Sequence, residues 1–145
     1  LSERVLSCLG EDLTGKRIAV WGLAFKPNTD DLREASSGQL LNTLWQQGAT
    51  VQAFDPQATE NARALYGDRN DFMLCASKED ALKQADCVVI CTEWKTFFSP
   101  NFETMKTLMA QPLIIDGRNL YDPAYVARLG FDYYAIGRGL SVNRG

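Results

Sequence analysis

The chemically loaded part of this sequence is a pair of cations and the loops that carry them. Lys26 sits in the stretch 22–36, with Asp30, Asp31 and Arg33 close behind it. Arg118 follows Ile115-Asp116-Gly117, where an apolar strand ends and the glycine lets the backbone turn sharply. The loop bearing Lys26, Asp30, Asp31 and Arg33 suits anion binding with internal ion pairing. Arginine suits two-point contact with a phosphate, or stacking on a ring. Two cations over one crevice, on a chain of formal net charge -3, are best explained by an anionic ligand. By themselves the residues also fit blander roles, a solvated charged loop for 22–36 and a carboxylate partner for Arg118.

Other chemistries find less support. A dinucleotide-binding unit places Gly-x-Gly-x-x-Gly after its first strand, so that a pyrophosphate reaches a helix N-terminus. Here that place reads Gly22-Leu23-Ala24-Phe25-Lys26, and the loop runs to about thirteen residues where roughly 2–6 are usual. The chain has no His, and its cysteines, Cys8, Cys75, Cys87 and Cys91, form no Cys-x-x-Cys. That argues against a zinc site. Cys87 and Cys91 flank a Val-Val-Ile run and read as small buried apolar residues, which fits a reducing cytoplasm. Asp55 ends the second strand, where a dinucleotide enzyme would hold a ribose hydroxyl; without the glycine loop it reads as a turn residue with Pro56. Trp45, at helical spacing, reads as core. Glu93 and Trp94 end the fourth strand, close to the crevice.

The elements that must position these residues alternate. Strands are expected at 17–21, 50–54, 72–74, 86–91, 113–116 and 131–136. Helices are expected from 36 to near 48, at 59–66, 78–84 and 101–109, and from Asp122-Pro123 onward. Ser36 with Gln39 suggests a capping box. Residues 1–13 look like the end of a helical segment, and 137–145 like an irregular tail. Tyr133 and Tyr134 should face opposite sides of the last strand. Continuous apolar runs point to a parallel sheet covered on both faces. The fold class is therefore α/β, a Rossmann-like doubly wound sheet of six mainly parallel strands with helices on both faces, for which 3-2-1-4-5-6 is the common order. Ligands of such sheets bind beyond the carboxyl ends of the strands, which selects 22–33, 92–94 and 117–121.

The 145 residues fit one domain. The acidic balance gives no reason to invoke nucleic acid or a membrane surface. The apolar runs are too short to span a bilayer, and no signal peptide opens the chain.

Three segments are similar to motifs of the UDP-glucose/GDP-mannose dehydrogenase family. They are Gly22-Leu23-Ala24-Phe25-Lys26-Pro27-Asn28-Thr29-Asp30-Asp31-Leu32-Arg33-Glu34, Cys91-Thr92-Glu93-Trp94, and Asp116-Gly117-Arg118-Asn119-Leu120-Tyr121-Asp122. The Thr92-Glu93-Trp94 and Asp116-Gly117-Arg118-Asn119 versions resemble the UDP-glucose branch more than the GDP-mannose branch, and the match covers nearly the whole chain. The resemblance implies an enzyme of nucleotide-sugar metabolism and polysaccharide biosynthesis. It would oxidise the C6 alcohol of UDP-glucose, or of another UDP- or GDP-sugar, to a carboxylate in two NAD-dependent steps. In that picture this chain is the C-terminal nucleotide-sugar-binding domain. Phe25 and Lys26 contact the UDP-sugar, Arg118 its nucleotide end, and Arg33 reaches NAD held by an N-terminal domain. The catalytic cysteine also belongs to that domain, so no catalytic residue is expected in this chain, and none of its cysteines resembles the nucleophile motif. In that family a connecting helix builds the dimer, so the resemblance also implies a homo-oligomer for the full-length protein. Inactivity in isolation follows, and a non-catalytic nucleotide-binding module is the alternative.

Overall fold

The computed structural model describes residues 1–24, 26–32, 36–136 and 141–142. Its core is a sheet in the order β3-β2-β1-β4-β5-β6-β7. The strands are β1 (Arg17–Trp21), β2 (Thr50–Phe54), β3 (Phe72–Leu74), β4 (Cys87–Ile90), β5 (Leu113–Asp116), β6 (Asp132–Ala135) and β7 (Ser141–Val142). The first six are all parallel. The sheet is Rossmann-like, and β4 abuts β1 at the point where the strand order reverses. Within the stretch expected to be an irregular tail, Ser141–Val142 adds a short antiparallel edge to β6. Two residues are too few for hydrophobic periodicity to register.

Alternation along the strands sends side chains to opposite faces. Ile18, Val20, Val51, Ala53, Cys87, Val89, Ile115 and Tyr134 join one cluster, with Leu41 and Leu44 of α2 (Ser36–Gln46) and Val5 of α1 (Ser2–Leu9). Ala62 of α3 (Thr59–Tyr66) completes that side. Ala19, Trp21, Val88, Ile90, Ile114 and Tyr133 face the other. They meet Leu82 of α4 (Lys78–Leu82), Met105 of α5 (Phe102–Leu108) and Val126 of α6 (Pro123–Arg128). Tyr133 and Tyr134 thus divide between the faces as alternation requires, and the Arg4 guanidinium lies 4.9 Å from the Tyr134 ring centroid.

Local sequence explains the helix limits. Asn101 and Asp122 accept the amides of Thr104 and Ala124 at the starts of α5 and α6, and Pro123 occupies the first turn. The Ser36 side chain, and with it the expected capping box, lies outside the described residues. A short 3-10 turn at Lys95–Phe97 follows β4, in a stretch to which the sequence reading assigns no element. It is held because the Phe97 ring stacks on Trp21 at 4.9 Å between centroids, a contact from a distant part of the chain. Trp45 is buried as core, with its indole donating to the Asp71 carbonyl at 3.0 Å.

Candidate functional site

The site is built where β1, β2, β4 and β5 end. Gly22 leaves β1 with φ 93, a left-handed conformation that favours glycine. A Cβ there would stand 2.6 Å from the Cβ and Oγ1 of Thr92, so this exit requires glycine on steric grounds too. The next two residues are clasped by side chains from three other elements. Asp55 Oδ2 accepts the amides of Leu23 and Ala24 at 2.7 and 3.0 Å. Ser37 Oγ, on α2, donates to the Leu23 carbonyl at 2.8 Å, and Thr92 Oγ1 donates to the Ala24 carbonyl at 2.8 Å. All four backbone polar groups of Leu23 and Ala24 are satisfied in this way, which is what their burial demands.

Lys26 follows this clasp and is exposed. Thr29 Oγ1 accepts the Asp31 amide, and Asn61 on α3 donates to the Asp30 carbonyl at 2.8 Å. Phe25 and Arg33, the other expected site residues of this loop, lie outside the described residues.

Asp55 is more than the turn residue that Asp55-Pro56 suggests. Its Oδ1 does cap the turn, accepting the amides of Gln57 and Ala58 at 2.8 Å each. Its Oδ2 reaches back to the first loop and also accepts the Trp94 indole N–H at 3.3 Å. The sequence signal was present, an acid at the end of the second strand. Its true partners lie too far along the chain for local patterns to reveal.

Arg118 leaves β5 through a second buried carboxylate. Asp116 Oδ1 accepts the amides of Arg118 and Asn119, and Oδ2 accepts the Leu120 amide and the Tyr133 hydroxyl, all between 2.7 and 2.9 Å. Gly117 allows the turn to press against the end of β4, since a Cβ would sit 2.9 Å from the Ile90 carbonyl oxygen. The same added Cβ would meet a Leu1 methyl at 3.0 Å, so α1 begins beside this turn. Arg118 Nε donates to the Cys91 carbonyl at 2.9 Å, and a Glu93 oxygen stands 3.9 Å away. Glu93 is thus a neighbour at the outer limit of ion pairing, while the hydrogen bond goes to backbone.

The loops after β1 and β5 therefore converge on adjacent residues of the β4 exit. Thr92 holds Ala24, and Cys91 holds Arg118. Burial pushes the Cys91 thiol up to about 12, against the opposing pull of the Arg118 charge. Burial likewise pushes Cys87 far up, so neither thiol is an activated nucleophile. Among the described residues no cluster of His, Cys, Asp and Glu could hold a metal ion, and no helix is long and apolar enough to cross a membrane. A polar hollow of about 350 Å³ beside Ser7, Cys8, Gln111 and Asp132 opens at the amino ends of β5 and β6, away from these loops.

A doubly wound sheet with the Lys26 and Arg118 loops at its strand exits defines a Rossmann-like class of α/β domain. Residues 19–123 match the UDP-binding domain of the UDP-glucose/GDP-mannose dehydrogenase family, and the chain belongs to that family. The UDP-glucose 6-dehydrogenase of Pseudomonas aeruginosa is 47% identical over 130 residues, which is 86% of this chain and 28% of that protein. A UDP-glucose dehydrogenase structure from Pyrobaculum islandicum superposes with TM-score 0.74 at 30% identity, over 92% of this chain and 28% of its own. An NDP-N-acetyl-D-galactosaminuronic acid dehydrogenase from Methanosarcina mazei gives 0.75 at 27%, over 94% and 28%. The chain thus spans less than a third of the length of these relatives.

Proposed function

We propose that this chain binds the UDP moiety of a nucleotide sugar across the carboxyl edge of its sheet. In this reading Lys26 and Phe25 contact the UDP-sugar and Arg118 its nucleotide end. The observation that carries it is the convergence of the β1 and β5 loops on Cys91 and Thr92, at the switch point where such sheets take ligands. Within a longer protein the domain serves a cytoplasmic, NAD-dependent and homo-oligomeric 6-dehydrogenase that supplies UDP-glucuronate for polysaccharide synthesis. The catalytic cysteine and the NAD-binding domain lie in the remainder of that protein, and Arg33 reaches toward the NAD.

The described residues do not fit NAD itself. The glycine cradle is missing, and the Asp55 oxygens already accept five donors. Another UDP- or GDP-sugar is the second reading for the substrate, favoured by the likeness to the M. mazei dehydrogenase.

Calorimetric titration of UDP tests the site. Charge-assisted contacts contribute about 1.5–3 kcal/mol each. Lys26→Ala with Arg118→Ala should therefore weaken UDP binding by about a hundredfold or more. Equal affinity in the variant and the parent would defeat the assignment.

A further inference from the structure

In dinucleotide folds, an acid near the end of the second strand holds a ribose hydroxyl, and the amides after the first strand receive the pyrophosphate. Here those two parts bind each other. Asp55 is 2% exposed, and its carboxylate takes the Leu23 and Ala24 amides that open the first loop. It also takes the Gln57 and Ala58 amides and the Trp94 indole. A carboxylate offers about four lone-pair sites, so these donors leave no capacity for a ribose.

We propose that Asp55 is a positioning residue of the anion site, a built-in anion that locks the root of the first loop and sets the course of the chain toward Lys26. The carboxylate occupies the place over the loop amides where a ligand phosphate would otherwise settle. The ligand anion must then engage further out, at Lys26 and Arg118. Thr92 and Ser37 complete the lock by holding the carbonyls of the same two residues. Trp94 ties it to the β4 exit, whose Cys91 carbonyl receives Arg118. One buried carboxylate thereby joins the loops after β1, β2 and β4 and keeps the two cations in register.

The affinity arm of the test rests on the UDP-binding reading; the spectroscopic arm does not. Asp55→Asn keeps the shape but turns an NH2 toward one set of backbone donors. Thr92→Val, of similar size, removes only the hydroxyl that holds the Ala24 carbonyl. Amide spectra of the 145-residue chain should show the Lys26 resonance and the Trp94 indole resonance displaced in Asp55→Asn. Faster hydrogen exchange should appear at Leu23 and Ala24. Thr92→Val should displace Lys26 in the same sense by a smaller amount. Well below melting, Asp55→Asn should bind UDP about tenfold more weakly, and should cost clearly less than that in a Lys26→Ala background, where only its hold on the Arg118 side remains. A purely structural carboxylate would lower the melting temperature and leave the affinity of the folded chain, and its coupling to Lys26, untouched. An unmoved Lys26 resonance in both variants overturns the proposal whether or not UDP binds. Failure of the unaltered chain to bind UDP overturns the functional reading instead, and the proposal is then decided by the resonances.

Discussion

Asp116→Ala is the sharpest test of how the Arg118 turn is built. The carboxylate is fully buried and accepts three backbone amides and the Tyr133 hydroxyl. The three amides belong to a partly buried turn, so water can replace part of what they lose. The Tyr133 hydroxyl is buried and donates to Asp116 Oδ2 at 2.7 Å; among the described residues its contacts with the Tyr121 amide and carbonyl are longer, at 3.3 and 3.5 Å. Leaving that hydroxyl without its carboxylate costs about 1–3 kcal/mol, and each weakened turn bond adds roughly 0.5–1. The expected loss is about 3–5 kcal/mol, a large share of the roughly 5–15 kcal/mol that stabilises a domain. Urea unfolding followed by circular dichroism gives the value, and melting should fall by about 10–16 °C for a chain of this size. Tyr133→Phe in the same background should cost far less than it does alone, because both partners are then gone. A loss under about 1 kcal/mol, or strict additivity of the two changes, would refute the assigned hydrogen-bond geometry.

Three further outcomes follow from the same coordinates. Gly22→Ala should destabilise by about 2–4 kcal/mol, through its positive φ and its collision with a Thr92 side chain that is held in place by the Ala24 carbonyl. A stability equal to the parent in urea would show that the exit is less tight. Stability should fall as pH rises above 9, because burial raises Cys91 from 9.0 to about 12 and raises Cys87 and Tyr121 as well. In that window the unfolded chain releases protons that the folded chain retains, so the thiol contribution is fully present below 9 and is lost on the way to about 12. Each thiol contributes a slope of up to about 1.4 kcal/mol per pH unit. Urea midpoints that stay level from about pH 8 to pH 10 would contradict this. Finally, a thiol reagent near pH 8 should modify half-buried Cys75 and Cys8 before Cys87 and Cys91, which should react only on unfolding. Simultaneous reaction of the four, followed by mass spectrometry, would show an open sheet.

Much of this molecule is local and was legible as such. Short, mostly apolar runs, punctuated by Gly, Pro and Asp, mark β1, β2, β4 and β5 because each strand is buried on both faces and needs no alternation. Asp122-Pro123 announces α6 because a cap and a first-turn proline act within a few residues. The Lys26 and Arg118 motifs also read out locally, since each is one strand exit and its following turn.

What sequence alone determined is therefore the set of elements, the family motifs and the cations they carry. The three-dimensional structure decided the rest: the strand order, the short β7 edge, the stacking of Trp21 on Phe97, and the inward turn of Asp55. Asp55 lies 31 to 39 residues from the Leu23, Ala24 and Trp94 donors that it accepts. Only parallel crossovers bring such distant groups to one edge of the sheet. A carboxylate cannot show in its own neighbourhood of sequence whether it will face a ligand or the protein, because that depends on which buried donors the fold leaves without a partner.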